Sequence, residues 1–228
     1  MKDSTLLLID GHSLAFRAFY ALRAENFVTD GGQHTNAVSG FLTTLLKLIA
    51  DYEPTHIAVA FDLPGGTFRT RIYEEYKGGR AQTPEEFKGQ IELIQQSLNA
   101  MGISWLTVED YEADDIVATL SRRGADGGMR VYISSGDKDS FQLVDEQCTV
   151  LYPMPRSETQ VLDVDGVLAK TGVLPSRYRD LAALVGENAD NLPGVPGVGP
   201  KTAAKWIAAY GGVEQILAES AGIKGKAG

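Results

Sequence analysis

Residues 5–10 read TLLLID, an apolar run closed by an acid, and the same arrangement returns twice: THIAVAF (55–61) before Asp62, and MRVYISSG (129–136) before Asp137. Short, near-continuous apolar runs read as strands buried on both faces, the condition of a parallel sheet. In an open α/β sheet the carboxyl ends of the strands line the crevice where ligands bind, so Asp10, Asp62 and Asp137 are expected to converge. Carboxylates crowded into a cleft repel one another, and a shared hard cation with oxygen ligands relieves that repulsion. Six further acids stand where helices begin or strands end: Glu112, Asp114, Asp115, Asp139, Glu187 and Asp190. Singly, an acid at a helix start has an ordinary explanation, because it complements the macrodipole and caps free N–H groups. Their joint placement, with Glu112 and Asp115 three apart on one helical face, points instead to a divalent-metal site for Mg²⁺ or Mn²⁺.

The 228 residues, 43% of them hydrophobic, suffice for one large domain or for a domain with a small appendage. No apolar run approaches the ~20 residues needed to span a bilayer, so the reading is a soluble, cytoplasmic protein without a signal peptide or membrane partner. Cys148 is the single cysteine and excludes an internal disulfide; its setting, CTVLY, reads as a buried strand. The formal charge of −9 argues against a nucleic-acid partner only until the nine clustered acids are set aside, since the acids that remain match the 21 Lys and Arg. His12, His34 and His56 lack zinc-ligand spacing, and no GxSxG elbow is present. A haloacid-type phosphatase needs a DxD pair after the first strand, and Asp10-Gly-His12 does not supply it. Nor does this turn carry the glycine fingerprint of a nicotinamide site.

Strand and helix alternate along the chain. Helices are predicted over 13–22, with Ser13 as candidate cap, over 36–52, over 84–101 from Pro84, and from 111 to about 124; strands are predicted over 55–61, 103–108 and 129–135. A short helix is predicted over 138–144, then two short strands near the sheet edge between 148 and 163. Over 64–84 the apolar periodicity fades, while Phe68, Tyr73 and Tyr76 interleave with Arg69, Arg71, Lys77 and Arg80. Basic groups follow phosphates and rings stack on unpaired bases, so this segment suits single-stranded nucleic acid. In GVPGVGPK (194–201), Gly194, Gly197 and Gly199 allow close approach to a phosphate, and Pro200 opens a helix beside Lys201. Such a hairpin between helices holds a DNA backbone without reading bases.

Taken together, LLLIDGHSLAFRAFYAL, VAFD, FRTRIYEEYKGGR, YEADD, SGDKDSFQLV and DNLPGVPGVGPKTAAKW resemble the 5′-nuclease (flap endonuclease) family, most closely the amino-terminal 5′→3′ exonuclease domains of bacterial DNA polymerases I. The resemblance covers essentially the whole chain. It implies a single 5′-nuclease domain over 1–228. Residues 1–183 would form an α/β core with a mainly parallel sheet, helices on both faces and a helical arch at 64–90, and 184–228 a helix-hairpin-helix region. It implies that the nine acids hold two Mg²⁺ or Mn²⁺ ions, and that the hairpin takes DNA duplex and a K⁺. Lys77 and Arg80 would contact the scissile phosphate as catalytic residues, Arg17 and Arg69 would make further phosphate contacts, and Tyr76 would stack on a base. The implied activity is hydrolysis of DNA at a 5′ flap or 5′ end by a monomer, with metals roughly 3.5–4 Å apart, leaving a 5′-phosphate and a 3′-hydroxyl.

Two departures qualify the match. Glu187 stands where the family usually has Asp, and the chain closes at AGIKGKAG where the family continues, in some members into an attached polymerase domain. Together they keep open a second reading, a DNA-structure-binding module with impaired catalysis.

Overall fold

The TLLLID run forms β1 (Thr5–Asp10) at the centre of the sheet, with Leu7, Leu8 and Ile9 essentially inaccessible to solvent. The computed structural model describes residues 4–79, 82–154 and 158–223. In chain order the core elements are α1 (Gly11–Ala21), α2 (Asn36–Tyr52), β2 (His56–Ala60), α3 (Phe68–Ile72), α4 (Gln90–Ala100), β3 (Ser104–Leu106), α5 (Ala113–Asp126), β4 (Arg130–Ser134), β5 (Cys148–Pro153) and β6 (Thr159–Leu162). Then follow α6 (Val164–Thr171), α7 (Tyr178–Val185), the two-residue strands β7 (Gly186–Glu187) and β8 (Leu192–Pro193), α8 (Pro200–Tyr210) and α9 (Val213–Ala218).

The six-stranded sheet runs β3-β2-β1-β4-β5-β6, parallel from β3 to β5, with β6 antiparallel at the edge. Alternate residues of a strand face opposite sides, so β1 feeds two cores. Leu7 and Ile9 pack with Phe41, Leu45, Ile94 and Leu98 beneath α1, α2 and α4. Leu8 joins Val131, Ile133, Ile116, Val117 and Leu184 beneath α5 and α7. Strand order reverses between β1 and β4, which makes the carboxyl ends of those two strands the expected ligand crevice. At Gly11, a Cβ would lie 2.3 Å from the Phe61 ring, so only glycine lets α1 leave the strand this close to the end of β2.

Three expectations need correction. Helix α1 starts two residues before Ser13, because the Asp10 carboxylate is the cap and accepts the Ser13 N–H at 3.0 Å. The helix predicted from Pro84 begins at Gln90. Pro84 opens only a 3₁₀ turn, Glu85–Phe87, and Gly89 at φ +77° breaks the path between them. The helix at 138–144 is a 3₁₀ turn, Lys138–Leu143. Within the described part of the 64–90 segment, α3 is the only α-helix before Gln90, five residues long and followed by turns. Among the described residues no helix is long and apolar enough to cross a membrane.

Candidate metal centre

The end of β1 delivers Asp10 to the switch point, 6% exposed. Its second carboxylate oxygen accepts from the Ser135 hydroxyl at 3.1 Å, and the Ser13 hydroxyl accepts the Gly136 N–H at 2.9 Å, so α1 and the loop after β4 are tied together around it. Asp62, two residues past β2, accepts the Ala113 N–H at 2.7 Å and thereby anchors the start of α5; its own N–H donates to His12 Nδ1 at 3.1 Å. Burial holds the His12 imidazole below its usual pKa, against the pull of Asp62. Asp137 opens the 3₁₀ turn and accepts the Asp139 N–H at 2.9 Å.

These acids feel one another. Burial first, then Asp10, Asp137 and Asp62 in turn, push the Asp114 carboxyl up to about 8, with Lys77 opposing. Asp10 rises to about 6 through burial, with Asp62 and Asp137 adding to it and the Ser13 N–H and Ser135 hydroxyl pulling the other way. Asp139 also rises to about 6, through burial and then Asp137, Glu187 and Asp190. Asp137 thus belongs to two neighbourhoods, an inner one with Asp10, Asp62 and Asp114, and an outer one with Asp139, Glu187 and Asp190.

The remaining acids are held by cations and a phenol. Glu112 caps α5 in a capping box with Asp115. One Glu112 oxygen accepts from Lys77 Nζ at 2.9 Å and from the Tyr76 hydroxyl at 3.1 Å, while Tyr76 also lies 3.0 Å from an Asp190 oxygen. Arg69 forks onto Asp115 at 2.7 and 2.8 Å, and that bond holds the Asp115 carboxyl below its ordinary range. The nine acids from five stretches of chain are therefore linked to one another through charge and hydrogen bonds.

As the side chains stand, no three His, Cys, Asp or Glu groups among the described residues lie close enough to enclose an ion. Glu112 and Asp115 are turned onto Tyr76, Lys77 and Arg69. The donor chemistry nonetheless suits a hard divalent cation, with oxygen ligands alone and carboxyls whose pKa values burial and neighbouring acids raise.

In the 64–84 segment Arg69, Arg71, Tyr76 and Lys77 lie against acids. Tyr76, expected to stack on a base, is 8% exposed and points its hydroxyl at the acids; burial and those acids raise its pKa. Arg69 is engaged by Asp115 and lies 4.6 Å from the Phe68 ring centroid, and Arg71 pairs with Asp110 at 2.6 Å. Arg17 donates to the Met154 carbonyl, and Arg80 lies outside the described residues. Ser135 and His12 also support these acids, a role the sequence signals only by placing each two residues from an acid, in SSGDKD and DGH.

The glycine hairpin connects α7 to α8. A Cβ on Gly194 would fall 2.2 Å from the Val185 carbonyl group, Gly197 sits at φ +81°, and Gly199 with Pro200 opens α8 without a side-chain cap. Lys201 is exposed at that helix start.

A model of the 5′-3′ exonuclease N-terminal resolvase-like domain matches residues 5–172, and one of the 5′-3′ exonuclease C-terminal SAM fold matches residues 173–228. The DNA polymerase I of Mycobacterium bovis is 51% identical over 225 residues, which is 98% of this chain and 25% of that protein. The DNA polymerase I of Bacillus caldotenax is 44% identical over 222 residues, 97% of this chain and 25% of that protein. The chain thus spans about a quarter of the length of the curated relatives it matches. Among solved structures, bacteriophage T5 5′-exonuclease with bound divalent zinc has a TM-score of 0.78 at 23% identity, covering 97% of this chain and 81% of that one. The T5 D15 flap endonuclease in a pseudo-enzyme-product complex with DNA and metal ions has a TM-score of 0.77 at 23% identity, covering 97% and 80%. At such identity the likeness is one of fold.

Proposed function

The chain belongs to the 5′-3′ exonuclease family, and from that premise we propose that it hydrolyses phosphodiester bonds of DNA at 5′ ends and 5′ flaps, in replication and repair. The observation that carries this reading is the meeting of acids from β1, the β2 end, the α5 start and the loop after β4 at the point where strand order reverses.

In this reading Asp10, Asp62, Asp114 and Asp137 would hold one divalent ion and Asp139, Glu187 and Asp190 a second, with Glu112 and Asp115 serving either. When bound, Mg²⁺ or Mn²⁺ would supply water activation and stabilisation of a leaving oxygen, chemistry suited to a 5′-phosphate and a 3′-hydroxyl as products. The chain's own side chains do the rest. Lys77, whose ammonium opposes the rise in pKa at both Asp114 and Asp139, is placed to offset charge developing on a phosphate, with Arg80 three residues on in sequence. The hairpin at 194–201 offers the N-terminus of α8 and the exposed Lys201 to a duplex phosphate. The relatives' length makes an attached polymerase domain part of the proposal.

The test is incubation with Mg²⁺ and a duplex bearing a labelled 5′ flap. Cutting that leaves a 5′-phosphate and stops on chelation is the expected outcome. A gel shift without any cleavage would instead favour a DNA-structure-binding module.

A further inference from the structure

The 75–77 turn is fastened to the 188–191 turn by more than one bond. The Lys77 N–H donates to the Asp190 carbonyl at 3.0 Å, and Asn191 Nδ2 donates to the Glu75 carbonyl at 2.9 Å. Both Lys77 and Asn191 adopt φ +57°, so each turn is shaped to bring its main chain to the other. Between them the buried Tyr76 hydroxyl sits 3.1 Å from Glu112 Oε2 and 3.0 Å from Asp190 Oδ2. One phenolic hydrogen therefore serves two carboxylates from distant parts of the chain.

We propose that Tyr76 is a positioning residue for the metal site, its hydroxyl holding Glu112 and Asp190 in register with each other, and that its ring is packing and not a platform for a base. The inference rests on the reading of those two acids as cation ligands. Ligating carboxylates are oriented by hydrogen-bonding partners of their own, and removal of such a partner typically weakens metal binding by roughly 10–100-fold. Stacking on an unpaired base requires an accessible ring face, and the Tyr76 ring is buried with Lys77 Nζ 5.0 Å from its centroid.

Tyr76→Phe removes the oxygen and keeps the ring. Mn²⁺ titrated calorimetrically into chelator-stripped protein, without DNA, should bind the variant about tenfold more weakly. Cleavage should recover as Mn²⁺ is raised, and flap-DNA affinity without divalent ions should match the parent. Parent-like Mn²⁺ affinity in the variant overturns the inference, whatever happens to DNA binding. Should the variant fail to fold by circular dichroism, Asn191→Gly takes its place; glycine tolerates the positive φ and only the strap to Glu75 is lost. It should weaken Mn²⁺ binding by a few-fold, and unchanged affinity there is equally fatal. If the parent protein itself binds no Mn²⁺, the metal reading falls and takes the inference with it.

Discussion

The inner acids of the cluster, Asp10, Asp62, Asp114 and Asp137, and its outer half, Asp139, Glu187 and Asp190 together with Glu112 and Asp115 between the two, are built by different means. Asp10, Asp62 and Asp137 are held by main-chain N–H groups and by Ser135, all from elements attached to the sheet. Beyond the capping box that Glu112 and Asp115 share at the start of α5, these two and Asp190 are held by Tyr76, Lys77 and Arg69, side chains of the long connection between β2 and α4. The first arrangement follows from the fold itself. The second depends on a segment with one short helix, so whatever displaces that segment disturbs half of the site and leaves the other half standing.

Substitutions separate the halves. The largest effect is expected from Asp114→Asn, on the inner side: a fall in kcat on the order of 10³-fold, accompanied, in chelated protein above pH 8 where Asp114 loses its proton, by a higher melting temperature, because the buried charge and then its repulsion by Asp10, Asp137 and Asp62 disappear. Loss of activity together with a lower melting temperature would show that Asp114 supports the fold. On the outer side, Lys77→Ala should lower kcat by about 10²-fold with little change in KM; an unchanged kcat with a raised KM would make Lys77 a binding group only. Glu187→Asp shortens the outer ligand by one methylene, and a few-fold change in the Mg²⁺ concentration for half-maximal cleavage is expected, with binding of flap DNA in the presence of chelator unaltered.

The smallest effect is on stability against pH. Asp114 keeps its proton to about 8 when folded, against an ordinary 3.8, and Asp10 and Asp139 keep theirs to about 6. The folded state therefore binds more protons than the unfolded one in this interval, and stability falls as pH rises. Between pH 8.5 and 7.5, above the ordinary histidine pKa of 6.5 around and below which the depressed His12 pKa works in the opposite direction, chelated protein should melt higher at the lower pH, by roughly 2–4 °C for each kcal/mol of burial cost and repulsion relieved. Excess Mg²⁺ should flatten the dependence. An equal slope with and without the ion would mean that the cation does not meet these carboxylates.

The places of Asp10, Asp62 and Asp137 were legible in the sequence because they follow from periodicity alone: a buried run ending in an acid puts that acid at or just past the strand's carboxyl end. Asn36 to Tyr52 was equally plain, with Phe41, Leu45 and Leu48 on one buried face. The Ser13 cap was misplaced because a strand-ending aspartate does the same work two residues earlier. The break at Gly89 lay in a dihedral angle that the amphipathic pattern of Phe87, Ile91 and Ile94 conceals. The outer half was legible as a set of acids and illegible as a structure. Arg69 meets Asp115 across 46 positions and Tyr76 meets Asp190 across 114, and local spacing holds no record of such pairs. An aromatic among arginines reads as a DNA surface until its burial is known.

Three of the nine acids, Asp10, Glu112 and Asp137, also start helical segments as caps, and Asp62 secures the first N–H of α5. These positions serve architecture as well as chemistry, whereas Asp114, Asp139 and Glu187 show no comparable capping bond. A lineage that ceased to need cleavage would therefore shed acids unevenly, losing Asp114, Asp139 or Glu187 while the helix-starting four persisted under selection for folding alone. Degenerate descendants would still carry most of the acidic signature, and retention of Asp10 or Asp62 in such a sequence would be poor testimony that it cuts.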